Sequence, residues 1–340
     1  MYEPAMRTAW SRSALLILLS LAVYFVVVNA TADAQDATRA APRQAPEVAH
    51  NSPPALKPHT IDAALLRSFH QNVLAQQNAS SGKIASLAHD VSLRSESVLV
   101  QDLQNATVLY SKDSDAVRPI ASISKLMTAL IVLEAHQPMD QVLEITDADV
   151  DRLRYSRSRL RVGSRLSREM LLHLALMSSE NRAAHALARN YPGGMPAFVR
   201  AMNDKARSLG MRHTHYVEPT GLSSDNVSSP QDLVKLLRVV AKVPLIHKFT
   251  TDDTEEVEIS KGRTLVYNNS NRLVRNSDWH IQVSKTGFIN EAGECLVMLA
   301  QIDKRPVAIV LLNSTGRYSR IGDAKRLRHL VRKEINVAML

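Results

Sequence analysis

The stretch Arg118-Pro119-Ile120-Ala121-Ser122-Ile123-Ser124-Lys125-Leu126-Met127-Thr128-Ala129-Leu130-Ile131-Val132-Leu133 decides how the rest of the chain reads. Pro119 cannot donate to a strand ladder, so it stops the β-rich text before it. Ser122 then begins an apolar helix that runs to Leu133. Upstream, Ser97–Asp102 and Thr107–Tyr110 are β-rich runs around Leu103-Gln104-Asn105-Ala106, which predicts a hairpin. Downstream, the text from about Leu153 to Val240 predicts mostly helix. Helical periodicity is strong over Arg168–Arg189 and Ala197–Leu209, and Pro230 opens a helix to Val240. The end returns to strands at Ile281–Ser284, Cys295–Ile302 and Val307–Leu312, closed by an Arg-rich amphipathic helix, Asp323–Val337. Strands around a helical middle, the last ones in hairpins, predict an α+β fold. Its parts are an antiparallel sheet packed with helices and a separate all-helical lobe, with the site in the cleft between them.

The chain has 340 residues, a net charge of +9 and 45% hydrophobic residues, ordinary for a globular protein of basic balance. That charge admits nucleic acid, an anionic membrane or an acidic polymer as partner. The N-terminus narrows the choice. Arg7 and Arg12 precede an apolar run, Ala14–Val28, with small residues at Ala30-Thr31-Ala32 and Ala32-Asp33-Ala34. This is the pattern of a secretory signal peptide over residues 1–34. The alternative is an uncleaved anchor, the one route to membrane contact, but the run is shorter than the roughly 20 residues of a spanning helix. Export makes nucleic acid an unsuitable partner and leaves an acidic envelope polymer in the periplasm. Residues 35–92 read as a mostly disordered Pro-containing linker with a possible short helix over Ile61–Val73, and residues 93–336 as the folded domain. The single cysteine, Cys295, lies in an apolar run and reads as a buried, inert thiol.

Three short motifs follow one another on suitable elements. Ser122-Ile123-Ser124-Lys125 is S-x-x-K at a helix start, Ser179-Glu180-Asn181 is S-x-N in the helical middle, and Lys285-Thr286-Gly287 is K-T-G at the end of an apolar strand. Each alone is weak: S-x-x-K recurs at Ser80-Ser81-Gly82-Lys83 and S-x-N at Ser224-Asp225-Asn226. In this order they form the signature of penicillin-binding proteins and serine β-lactamases.

The chemistry explains the residue types. A serine hydroxyl is a poor nucleophile until a base takes its proton. Lys125 sits three residues after Ser122, on the same helix face. An ordinary lysine is protonated at neutral pH, but burial and a second cation, here Lys285, would free it to act as the base. Ser179 would relay a proton to the leaving amine, and Asn181 would bond the substrate amide. Lys285 and Thr286 would hold the terminal carboxylate, and Gly287 would let the backbone approach the substrate. The oxyanion hole would use the N–H groups of Ser122 and Phe288. No metal and no cofactor is called for.

At these motifs the sequence resembles the low-molecular-mass penicillin-binding proteins of the D-alanyl-D-alanine carboxypeptidase family. Residues 119–129 look like their nucleophile helix, and Val217-Glu218-Pro219-Thr220-Gly221-Leu222-Ser223 with Asn226-Val227-Ser228 is typical of them. The closest likeness is to the D-alanyl-D-alanine endopeptidases, penicillin-binding protein seven type. It is carried by residues 178–184, 268–275 and 284–293 and runs in all from about Ser95 to Arg332. The resemblance implies acylation of Ser122 by a D-Ala carbonyl of a peptidoglycan stem or cross-link, then hydrolysis of the ester. It also implies covalent inhibition by β-lactams and no C-terminal accessory domain.

Other readings are a serine β-lactamase and a non-catalytic β-lactam or wall sensor. The first calls for a Glu-held water, and no E-x-x-L-N segment is present; Glu218 lies in the Pro-Thr-Gly-Leu loop. His213-Thr214-His215 offers two imidazoles but no acidic partner at ligand spacing, so these histidines read as surface or packing residues. The run Arg152, Arg154, Arg157, Arg159, Arg161 reads as a solvated face near the wall polymer.

Overall fold

The structure, a computed structural model, describes residues 91–260 and 262–338. The expected signal peptide, the linker helix and the Ser80–Lys83 motif lie outside the described residues. Among the described residues no helix is long and apolar enough to cross a membrane.

Strands β1 (Ser95–Asp102), β2 (Val108–Lys112), β9 (His280–Ile289), β10 (Gly293–Ile302) and β11 (Arg305–Ser314) form one antiparallel sheet in the order β2-β1-β11-β10-β9. Side chains alternate across a strand, and here both faces are covered. Leu296, Met298, Ala300, Ile309 and Leu311 pack with Ala324, Leu327, Leu330 and Val331 of the last helix, α7 (Ser319–Ala338). Val297, Leu299, Ala308, Val310 and Leu312 turn to the opposite face and join the helical lobe. Double coverage is why β10 and β11 read in sequence as unbroken apolar runs.

The lobe consists of α1 (Lys125–Glu134), α2 (Arg168–Met177), α3 (Asn181–Arg189), α4 (Gly194–Ser208), α5 (Pro230–Val240) and α6 (Pro244–Thr251). Short ladders pair β3 (Arg118–Pro119) with β6 (Val227–Ser228) and β4 (Val142–Glu144) with β5 (Arg165–Ser167). Buried in α1 are all residues from Lys125 to Val132, so this helix runs through the core rather than along its surface. The fold is thus the expected sheet with packed helices and a helical lobe.

Three expectations need correction. Residues 151–164 form an irregular loop, not helix. The carboxylate of Asp151 accepts from the backbone N–H groups of Leu153 (2.9 Å), Arg154 (3.0 Å) and Ser156 (2.8 Å), and such side-chain bonding competes with helix. The periodic run Arg168–Arg189 is two helices, broken at Ser178-Ser179-Glu180, where Ser179 is left-handed at φ 64°. A hairpin of β7 (Thr254–Ser260) and β8 (Arg263–Asn268), together with α6, fills a region for which the sequence suggested no element.

The arginine run is not a free solvated face throughout. Arg154 donates to the Leu222 carbonyl and pairs with Glu291 at 2.8 Å. Arg159 donates to the Val266 carbonyl at 2.5 Å and lies over the Tyr267 ring at 3.8 Å. Arg152, Arg157 and Arg161 are exposed. His213 and His215 are exposed, and His215 makes a short bridge to Val227.

Candidate active site

Ser122 lies in a 3₁₀ turn, Ala121–Ser124, that leads into α1 at Lys125. It is therefore inside the entry turn rather than the first residue of the α-helix. Ala121, directly before it, is left-handed at φ 48°. Non-glycine residues held in this region cost on the order of 1–3 kcal/mol and concentrate at sites whose surroundings over-determine them. Two backbones press on the turn. A Cβ on Gly221 would come within 1.9 Å of the Ala121 oxygen, and a Cβ on Gly287 within 2.9 Å of the Ile120 oxygen and 3.0 Å of the Ser122 nitrogen. Gly287 thus also admits the nucleophile turn, which docks against β9 with no room for a methyl group.

Lys125 is 1% exposed, and its amine has three protein partners. Nζ lies 2.9 Å from Ser122 Oγ, 2.7 Å from Asn181 Oδ1 and 2.6 Å from the Thr220 carbonyl oxygen. The carbonyl and the amide oxygen can only accept. In its neutral form the amine has two N–H donors for the two acceptors and one lone pair left for the serine hydroxyl. Burial pulls the Lys125 pKa down to about 8, against an upward pull from the Glu218 and Glu180 carboxylates. The two buried amines also repel each other's charge, which favours a neutral form in the pair, as expected for Lys285 beside Lys125. The Lys285 amine is held well below the lysine range by burial first, then by Lys125 and Arg320.

Asn181 opens α3, and its side chain is held at both ends: Oδ1 accepts from Lys125, and Nδ2 donates to Ser156 Oγ at 3.0 Å. The second N–H and the second lone pair of the amide remain for the expected bond to a substrate amide. Lys285 bridges sheet and lobe. Its Nζ donates to Ser179 Oγ at 2.9 Å and to the Thr286 carbonyl at 2.9 Å. Lys285 pairs with Val297 in the β9–β10 register, which turns its side chain to the lobe face. Thr286 donates its hydroxyl to Ser270 Oγ at 2.7 Å. Phe288 is 59% exposed at the rim. The structure thus brings the motif residues together as two hydrogen-bonded groups, Ser122–Lys125–Asn181 and Ser179–Lys285, whose two buried amines feel each other's charge, with Thr286 and Gly287 on the same strand as Lys285.

Sequence reasoning gave no role to Thr220, Ser156 or Ser270. The Thr220 contact is made by a backbone carbonyl, which leaves no trace in residue type. A cavity of about 1020 Å³ opens at the start of β9 among Trp279, His280, Gln301 and Arg328, and no motif residue lines it. A smaller one of about 170 Å³ backs onto Asn181, Glu218 and Thr220. Cys295 is buried, with its thiol pushed up to about 11 by burial and donating to the Ala292 carbonyl at 3.3 Å, the inert state expected. Among the described residues no group of three or more His, Cys, Asp or Glu is placed to hold a metal ion.

Known proteins give this geometry a context. The family model described as D-alanyl-D-alanine carboxypeptidase, peptidase S11, matches residues 83–316. A D-alanyl-D-alanine endopeptidase of Pseudomonas aeruginosa is 49% identical over 258 residues, covering 76% of this chain and 83% of the relative. The Streptomyces K15 DD-transpeptidase superposes with a TM-score of 0.66 at 26% identity, over 71% of this chain and 97% of that one. Penicillin-binding protein D2 of Listeria monocytogenes in its ampicillin-bound form superposes with a TM-score of 0.62 at 29% identity, over 71% and 98% of the two chains. Carrying the family's fold and its three motifs gathered around two buried lysines, the chain belongs to the D-alanyl-D-alanine carboxypeptidase family, peptidase S11.

Proposed function

We propose that this serine peptidase cuts D-alanyl bonds of peptidoglycan, with the cross-link between neighbouring stems as its main target, through an acyl-enzyme on Ser122. The observation that carries the proposal is the contact of the dry Lys125 amine with Ser122 Oγ at 2.9 Å. Neutral Lys125 takes the hydroxyl proton as Ser122 attacks the D-Ala carbonyl. The oxyanion is received by the backbone N–H groups of Ser122 and Phe288. Ser179, bonded to Lys285, relays to the departing amine the proton that Lys125 took from Ser122, so that Lys125 ends neutral again. Water then hydrolyses the ester. Lys285 and Thr286 hold the substrate's terminal carboxylate, whose arrival favours the charged form of Lys285. β9 is the last strand of its sheet, so an extended stem peptide has an unpaired edge to lie along.

The emphasis on cross-links rests on the 49% identity to a D-alanyl-D-alanine endopeptidase. β-Lactams acylate the same serine in this reading, in keeping with the ampicillin-bound relative. The N-terminal pattern makes the enzyme an exported, periplasmic one. Against the β-lactamase alternative stands Glu218. Its carboxylate already accepts from backbone and side-chain donors of its own loop, which leaves it poorly placed to hold a hydrolytic water.

The test is digestion of purified cross-linked muropeptides followed by product masses, with Ser122→Ala as control. Dimers falling to monomers support the endopeptidase. Loss of one terminal D-Ala instead makes the enzyme a carboxypeptidase, and no change in either removes the hydrolase. Rapid turnover of a penicillin adduct would favour the β-lactamase.

A further inference from the structure

Glu218 belongs to none of the three motifs, yet its carboxylate organises the wall behind Lys125. Oε2 accepts from the Thr220 N–H at 2.6 Å and from the Thr220 hydroxyl at 2.5 Å. Oε1 accepts from the Gly221 N–H at 2.6 Å, the Ser223 N–H at 3.3 Å and Asn226 Nδ2 at 3.1 Å. Five donors on one carboxylate curl residues 218–223 into a tight loop. Contacts from that loop converge on the S-x-x-K segment. The Thr220 carbonyl meets Lys125 Nζ at 2.6 Å, and the Pro219 carbonyl accepts from Thr128 Oγ1 at 2.7 Å. Gly221, left-handed at φ 82°, lies so close to Ala121 and Ser122 that a Cβ would sit 2.6 Å from the Ser122 nitrogen. Asn226 Nδ2, which bonds Glu218, also reaches Ser124 Oγ at 3.0 Å.

We propose that Glu218 is a positioning residue for the acylation step, clamping the 218–223 loop so that the Thr220 carbonyl holds the Lys125 amine with its lone pair directed at Ser122. The carboxylate does not touch the reacting atoms; it acts through Thr220. It acts on Lys125 a second way, through its field. The charged groups that face this amine are Glu218 from the loop, Glu180 from the start of α3 and Lys285 from β9. Both carboxylates favour the protonated amine, while burial opposes it more strongly. A neutral residue at 218 therefore lowers the Lys125 pKa further. The inference rests on the acyl-serine reading given above.

The experiment is the rate of labelling by a fluorescent penicillin, measured against pH for the wild type, Glu218→Gln and Glu218→Asp, with melting curves to establish folding. Glutamine keeps the shape but turns an NH₂ group toward donors that need an acceptor, and it removes the charge. A positioned base is worth about 10²–10⁴-fold, so partial misplacement is expected to slow labelling at least about tenfold. The acid limb of the profile is expected to move to lower pH. A residue that only stabilised the loop would lower the plateau and the melting point and leave the limb where it was. Wild-type labelling, or slower labelling with an unmoved limb, overturns the proposal. The aspartate variant keeps the charge and loses reach, so its rate falls while its limb stays; if the glutamine variant does not fold, wild-type labelling by the aspartate variant overturns the proposal instead. Failure of the wild type itself to be labelled would sink the acyl-serine reading, a separate result from failure of Glu218.

Discussion

On one face of the five-stranded sheet, Val98, Val100, Met298, Ile309 and Leu311 meet Leu327 and Val331 of α7, and the buried charge there, Asp323, has its carboxylate fully occupied by Arg94 and Ser95. On the other, Leu99, Val297, Val310 and Leu312 meet the lobe in the same manner, but at the edge of that face two lysines are buried to 1% exposure. Removing a charge from water costs several kcal/mol, which is why lysines are almost never found there. The difference between the faces separates two uses of burial. Against α7 burial only stabilises. Against the lobe it also changes chemistry, because an amine that cannot be hydrated gives up its proton more easily.

The sharpest way to break this comparison is Lys125→Ala. Acylation of Ser122 is expected to fall by about 10²–10⁴-fold, the usual worth of a positioned base. Labelling kinetics with a fluorescent penicillin measure it, beside a melting curve that shows the variant folded. A rate within a few-fold of wild type would mean that the buried amine is not the base. On the α7 face, Leu327→Ala is expected to cost about 2–5 kcal/mol of stability through lost burial and the cavity left behind. Denaturant unfolding reads that loss, while the acylation rate of the folded fraction stays at the wild-type value. A changed rate would mean that the two faces are coupled.

The smallest effect is a pH dependence. The amine must be neutral to act, and its pKa is lowered to about 8. The acylation rate is thus expected to climb as pH rises through that value, falling about tenfold per unit on the acid side. The pH profile of acylation in the free enzyme checks it. A flat profile between about pH 6 and 9 would contradict Lys125 as the titrating group.

How much of this was legible in the sequence depended on where the information sits. The motif serines and lysines were legible because side-chain chemistry defines them, and their order along the chain supplied the rest. The strands β10 and β11 were legible as apolar runs with turns between. The hairpin β7–β8 was not: the acidic residues Glu255, Glu256 and Glu258 obscured its alternation around Val257, although Gly262 marked the turn. The loop over 151–164 was missed because Asp151 binds backbone groups locally, an effect that periodicity does not see. The Thr220 carbonyl was beyond reach for another reason. Every residue has one, and only the folded loop decides which of them meets a lysine. The packing of Gly287 was not legible either, because its neighbour across the gap, Ile120, lies far away in the sequence.

The position of β11 has a consequence for how the molecule comes into being. Ser95 at the start of β1 pairs with Ser314 at the end of β11, and β11 in turn carries β10, which carries β9 with Lys285. Ser122 follows β1 by a few turns of chain, whereas Lys285 is tied to β1 only through the strand made last. Closing so long a loop is entropically unfavourable and tends to be late. A growing chain that stops short of β11 has its serine and its first lysine but lacks the central strand on which the second half of the site hangs. Competence to react is therefore a property of the finished chain, reached only when its last strand slides in between its first and its tenth.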